Sequence, residues 1–230
     1  MNEEAVNKHI PASTLSTAHF LRIVSANRAQ REHVKSTFHG PFLPSKIETE
    51  DEKEKETFIE DLRWAVYTAC LASFVQGMCI INAADQQYRW SIDCKTVTQI
   101  WRAGCIISAD HIVDPLDTAF SSSHSIDAPN LLYDHNIAEE LKTGFPRLKK
   151  VVLKATEANA VIPSISATLE YLKYCGNLDL PPQFYEAELD YFGKHKYDKK
   201  GEGPGELLRV NNIMNGSQRE RRAPKMPRYK

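Results

Sequence analysis

The sequence holds no C-x-x-C pair, and its cysteines, Cys70, Cys79, Cys94, Cys105 and Cys175, are odd in number. That argues against a disulfide framework or a thiolate metal site. Most lie among apolar neighbours and read as buried free thiols of a reducing compartment. An excess of either charge is lacking as well: the formal net charge is -1 and the pI is near 6.7. The chain as a whole therefore has no attraction to nucleic acid or to an anionic membrane. Met1-Asn2-Glu3-Glu4-Ala5 has neither the basic start nor the apolar stretch of a secretory signal, so the expected location is cytoplasmic. No G-x-S-x-G, H-E-x-x-H, Walker A or EF-hand pattern occurs, and the eight histidines are scattered. No catalytic residue and no metal site is specified by motif. Alternating strand patterns, βαβ units and internal repeats are also absent, which leaves an all-α class.

What is present is helical periodicity. With 42% hydrophobic and 26% charged residues the chain can build a core without staples. A first helix is expected from Ser13 to about Thr37, its stripe formed by Leu15, Phe20, Leu21, Ile23 and Val24. The run Glu48 to Glu56 has nothing apolar to bury and reads as a loop or as the acidic first turns of the next helix. From Phe58 to Tyr88 there is no proline, and Trp64 to Ala84 carries no charge. Such a length raises the membrane question. Tyr67, Thr68, Ser73, Gln76, Gly77 and Asn82 are spread through it, however, and no basic flank marks one side. The central helix of a bundle is the better reading, with no membrane contact.

Further on, Asp93 is a plausible N-cap for a helix through Val97, Ile100 and Trp101 that ends or bends at Gly104. Beyond Asp114-Pro115, residues Ser121 to Ser125 read as loop, and Leu131 to Ala160 as one or two helices interrupted at Gly144 and Pro146. Pro163 opens a helix to about Cys175, and Pro181-Pro182 introduces one from Gln183 to about Phe192. The glycines at 201, 203 and 205 follow no strand, so they read as a linker and not a phosphate cradle. The organisation expected is a helical domain over 1–197 and a flexible Gly-rich linker with a basic tail over 198–230. Nucleic acid is not an expected partner: Arg219 to Lys230 is basic, but no aromatic platform accompanies it beyond Tyr229. His195 stands between Lys194 and Lys196 after Tyr191-Phe192-Gly193, a cluster able to neutralise a phosphate dianion, the alternative being a solvated basic helix end.

Two groups of residues carry a resemblance. Ser73-Phe74-Val75-Gln76-Gly77-Met78, then Trp90, then Ile100-Trp101-Arg102-Ala103-Gly104-Cys105-Ile106-Ile107 form the first. Asn130-Leu131-Leu132, Ser166 to Tyr171, Leu180-Pro181 and Asp190-Tyr191-Phe192-Gly193-Lys194-His195-Lys196-Tyr197 form the second. In order and spacing, from about Ile10 to Tyr197, they resemble the C-terminal domain of decarboxylating 6-phosphogluconate dehydrogenases. The resemblance implies an all-α domain around a long central helix. It also implies a homodimer, or association with an intact family member, and a sugar-phosphate ligand, 6-phosphogluconate, of the oxidative pentose phosphate pathway and gluconate utilisation. The family is an NADP-dependent oxidoreductase.

The resemblance begins after the family's dinucleotide domain, so no cofactor is expected to bind this chain alone, NADP being the family's. By the same resemblance His195 is the substrate-binding candidate. Ser108 and Leu189 stand where the family carries phosphate-binding arginines. Losing such a charge-assisted partner costs on the order of 1.5 to 3 kcal/mol each, and Lys194 and Lys196 are the possible compensating charges. Two functions follow: a dehydrogenase C-terminal domain inactive by itself, or a non-catalytic dimerisation or regulatory module derived from that family.

Overall fold

The structure, a computed structural model, describes residues 1–40, 42–103, 105, 107–122 and 130–193. Among them there is helix and no strand. The elements are α1 (Asn2–Asn7), α2 (Ser13–Ala26), α3 (Arg28–Phe38), α4 (Glu52–Tyr88), α5 (Cys94–Arg102), α6 (Asp110–Ser122), a single 3-10 turn at Leu131–Tyr133, α7 (His135–Glu157), α8 (Pro163–Cys175) and α9 (Pro182–Gly193). The chain divides into two compact units, Met1–Cys175 with α1 to α8 and Gly176–Lys230 with α9.

Within the first unit everything is arranged on α4, which at 37 residues is about 55 Å long at 1.5 Å per residue. Its start is set by the acidic run: Asp51 accepts the amide of Glu54 at 2.7 Å, and Glu54 reaches back to the amide of Glu50 at 2.7 Å. Both carboxylates sit at the positive end of the helix. Of the two alternatives for Glu48 to Glu56, the second therefore holds from Glu52 onward. The uncharged segment is long and apolar enough to cross a membrane. Yet Ala65, Leu71, Ala72 and Val75 are wholly buried and Met78 and Ile80 nearly so, which is the pattern of a bundle's central helix.

Helix α7 runs antiparallel to α4 and is held by charge as well as by packing. Lys154 pairs with Glu54 at 2.5 Å, Lys150 with Asp61 at 2.6 Å and Arg147 with Glu60 at 3.4 Å. The contact to Asp61, which is buried, is an ion pair and not an aligned hydrogen bond. Arg147 also lies over the Trp64 ring at 5.0 Å, while the Trp64 indole N–H donates to Glu60 at 3.0 Å. The Glu60 carboxyl is held at about 2, first by the Arg63 hydrogen bond. Where the two helices touch most closely, Gly144 faces Thr68.

Three apolar clusters fill the unit. The largest gathers Leu71, Val75, Met78, Leu116, Ile137 and Leu141 between α4, α6 and α7. A second joins Ala65, Leu148, Val151 and Leu169, and a third ties Ala5 and Ala12 to Ile80. A polar seam crosses the core beside them. Gln76, fully buried, donates to Thr14 Oγ1 at 3.0 Å and accepts the Leu15 amide at 3.4 Å, and Thr14 meets Thr168 at 3.0 Å. These bonds join α4, α2 and α8 without leaving a buried amide unpaired.

Several expectations are corrected. The first helix is two, because Asn27 leaves the helical region and its side chain caps α3 by accepting the Gln30 amide at 3.0 Å. Phe20, Ile23 and Val24 face outward, since the core face of α2 is the polar one that carries Thr14. Helix α7 passes through Gly144 and Pro146 without interruption. Pro146 is on the exposed side, and the buried face of Leu141, Gly144, Leu148 and Val151 holds the helix together. Helix α6, which the sequence does not signal, contains Pro115. The cysteines are free, but Cys70 and Cys175 are exposed and Cys79, Cys94 and Cys105 only half-buried. The expectation of buried thiols fails because Cys70, Cys79, Cys94 and Cys175 fall at the flanks of their helices' core faces and Cys105 lies between α5 and α6.

Candidate functional site

The helix through Trp101 begins at the predicted cap: Asp93 accepts the amides of Lys95 and Thr96 at 3.2 and 3.3 Å. It ends at Arg102, and residues 107–109 turn the chain into α6 at Asp110. Ser108 sits in this turn and is exposed. Its hydroxyl donates to the Arg102 carbonyl at 2.9 Å, and its amide donates to the Cys105 carbonyl at 3.0 Å. The Arg102 side chain meets Asp110 at 2.7 Å and Asp114 at 2.8 Å. The Asp114 hydrogen bond, with Asp110 adding charge, raises its already high pKa. The cation next to Ser108 is thus already paired with two carboxylates, and the turn offers an incoming anion little attraction of its own.

In the second unit, α9 is introduced by Pro181-Pro182 as predicted. Gln183 accepts the Leu180 amide at 3.3 Å and donates to the Leu178 carbonyl at 2.9 Å, which fixes the helix start. None of its residues is buried, and Phe184, Tyr185, Leu189, Tyr191 and Phe192 are all exposed. Leu189 presents an apolar side chain with no hydrogen-bonding capacity. Lys194, His195 and Lys196 begin just past the last residue of α9 and lie outside the described residues, as does the tail 198–230.

Partial desolvation by neighbouring side chains, as the leading cause, pushes the thiols of Cys70, Cys79, Cys94 and Cys175 above their ordinary range, although Cys70 and Cys175 keep solvent-exposed surface. None of them is an activated nucleophile at neutral pH. Among the described residues no three His, Cys, Asp or Glu side chains gather into a metal site. A cavity of about 360 Å³ opens between the 42–45 segment and the α7–α8 junction. It is lined by Phe42, Thr156, Asn159, Val161, Ile162 and Ser166, and with no charged group in its wall it does not suit a phosphate ester.

The comparisons with known proteins decide the family. The family described as 6-phosphogluconate dehydrogenase, C-terminal domain, matches residues 1–211. The chain belongs to the 6-phosphogluconate dehydrogenase family. The decarboxylating 6-phosphogluconate dehydrogenase of Emericella nidulans is 44% identical over 203 residues, which are 88% of this chain and 40% of that protein. The enzyme of the same description from Salmonella typhimurium is 30% identical over 206 residues, 87% of this chain and 42% of that protein. Among solved structures, 6-phosphogluconate dehydrogenase of Plasmodium falciparum superposes with a TM-score of 0.74 at 28% identity, over 87% of this chain and 42% of that one. That protein is described in its apo form, with its cofactor NADP+ and with its substrate 6-phosphogluconate.

The chain thus spans about 40% of the length of the curated relatives it matches. The all-α class and the long central helix implied by the resemblance are those of the family's C-terminal domain. NADP is the cofactor of the Plasmodium 6-phosphogluconate dehydrogenase. The described residues here do not fit a dinucleotide: they include no strand and hence no strand–glycine turn–helix unit to seat a pyrophosphate. What sequence reasoning missed in this 6-phosphogluconate dehydrogenase domain is the Gln76, Thr14 and Thr168 seam. Three uncharged polar residues far apart in the chain give no local signal that they meet.

Proposed function

We propose that this chain is the helical, substrate-side part of a decarboxylating 6-phosphogluconate dehydrogenase of the cytoplasm. In this reading it contributes His195, with Lys194 and Lys196 beside it, to the binding of 6-phosphogluconate, and it works as a homodimer or with an intact family member. The observation that carries the reading is the family match over residues 1–211 by a chain spanning about 40% of its relatives. NADP chemistry is supplied by a dinucleotide domain that these helices do not provide. The test is to mix the purified chain with 6-phosphogluconate and NADP and to follow the NADPH absorbance. No NADPH should form from the chain alone, and calorimetry should register the sugar phosphate but not NADP. Turnover by the chain alone would overturn the reading.

A second reading, a non-catalytic dimerisation or regulatory module, is favoured by the apolar, exposed Leu189 and by Ser108 being bonded to the Arg102 carbonyl. Mixing the chain with an intact family member inactivated at its own counterpart of His195 separates the two. Restored NADPH formation supports the catalytic reading, and continued inactivity supports the module.

A further inference from the structure

Ser25 lies in the last turn of α2, two residues before Asn27, where the chain leaves one helix and starts the next. The residue is exposed, and its hydroxyl turns back to donate to the Arg22 carbonyl at 2.7 Å. Arg22 stands three residues before it, and the sequence holds no other Arg-x-x-Ser or Arg-x-x-Thr. The surroundings are cationic. Residues 13–47 contain Arg22, Arg28, Arg31, Lys35 and Lys46 against the single carboxylate of Glu32. Arg31 reaches back over the break, its Nη2 donating to the Ser25 carbonyl at 3.0 Å. Arg28, the first residue of α3, pairs with Glu32 at 2.8 Å.

Helix α3 is also the element of the first unit held least by packing. None of its residues is buried, and eleven residues are too few to keep a helix in water without a packed face. The junction of α2 and α3 therefore opens at small cost. Opening is what a protein kinase requires, because it takes its acceptor serine from an extended segment.

We propose that Ser25 is a phosphorylation site for an arginine-directed serine kinase, and that Arg31 and Arg28 hold the phosphoserine so that it fixes the junction of α2 and α3. Arg22 supplies the guanidinium that carboxylates in the substrate groove of such a kinase pair with bidentately. In the transfer, Ser25 Oγ attacks the γ-phosphorus of ATP, the bond from that phosphorus to the bridging oxygen breaks to release ADP, and the hydroxyl proton passes to the kinase's base. The product carries a charge of roughly -1.5 to -2 at neutral pH and three acceptor oxygens. As a dianion it has no proton to return to the Arg22 carbonyl, and the last carbonyls of α2 repel it. Arg31, already bonded to the Ser25 backbone, and Arg28, in competition with Glu32, attract it toward α3. The modification thus exchanges a bond inside α2 for bonds that span the break.

The test treats the purified full chain with ATP and the catalytic subunit of cyclic-AMP-dependent protein kinase. Mass spectrometry maps the phosphate, and amide hydrogen exchange over Arg28–Phe38 is compared before and after. Phosphate should enter at Ser25, and S25A should take up none at that position. R22Q should slow incorporation roughly tenfold to a hundredfold, the worth of one charge-assisted pair. Phosphorylation should slow exchange in α3 roughly three- to tenfold. R31Q leaves Arg22 and the acceptor in place, so it should accept the phosphate yet gain less protection. Far-UV circular dichroism checks that each variant keeps its helical amplitude. No phosphate at Ser25, or incorporation that R22Q leaves unchanged, overturns the site. Exchange unmoved by phosphorylation, or slowed as much in R31Q as in wild type, overturns the clamp.

Discussion

A Cβ built on Gly144 would stand 1.9 Å from Thr68 Oγ1 and 3.1 Å from Thr68 Cβ, so α4 and α7 approach at a distance only glycine allows. Thr68 cannot simply turn away, because its hydroxyl donates to the Trp64 carbonyl at 2.8 Å and the residue is fully buried. Gly144→Ala is therefore expected to destabilise the fold by about 1–3 kcal/mol, the usual cost of overpacking a well-filled contact. Thr68→Ala in the same chain removes the hydroxyl clash but leaves the two Cβ atoms tight, so the double variant should recover part of the loss. Urea titration of the four proteins measures both terms. A Gly144→Ala variant within about 0.5 kcal/mol of wild type, the range of an innocuous substitution, would show that the helices separate at no cost.

A proline inside a helix leaves a carbonyl open one turn back. Pro115 in α6 has no N–H for the carbonyl of His111, and that oxygen is the one Tyr67 of α4 reaches with its hydroxyl at 3.4 Å. Tyr67→Phe should thus cost about 0.5–1 kcal/mol in the native background. The cost should shrink when Pro115→Ala lets residue 115 bond the carbonyl itself. A double-mutant cycle in urea reads the coupling, and simple additivity would mean the phenol is not that carbonyl's partner. The same elements show why some of the fold was legible and some was not. The starts of α5, α8 and α9 are written locally, in Asp93, Pro163 and Pro181-Pro182. The continuity of α7 through Pro146 and the existence of α6 around Pro115 are decided by faces packed against α4, which no local pattern displays. The break at Asn27 was missed because it is made by one capping side chain without Gly or Pro. The candidate site was legible only as strings: Tyr191-Phe192-Gly193-Lys194-His195-Lys196 stands in the sequence, whereas the pairing of Arg102 with Asp110 and Asp114 beside Ser108 is a matter of folding.

Across the whole molecule, the buried residues of all three apolar clusters come from the first unit, Met1–Cys175. The Gln76, Thr14 and Thr168 seam and the ion pairs between α4 and α7 lie there too, while α9 buries nothing. Stability should then reside almost entirely in α1 to α8. A chain ending at Cys175 is expected to unfold cooperatively, with a midpoint within about 4 °C of the full chain, the shift of roughly 1 kcal/mol in a domain of this size. Its helical signal should fall by the share of the removed segment, to which α9 contributes twelve residues. It should also lose the binding of 6-phosphogluconate proposed above, since His195 goes with the removed segment. Thermal melts followed at a far-UV wavelength, with calorimetry against the sugar phosphate, separate the two effects. Loss of cooperativity or a far larger drop in midpoint would mean that the aromatic face of α9 belongs to the stabilising core. Retained sugar-phosphate affinity would move the binding site into the helices that remain.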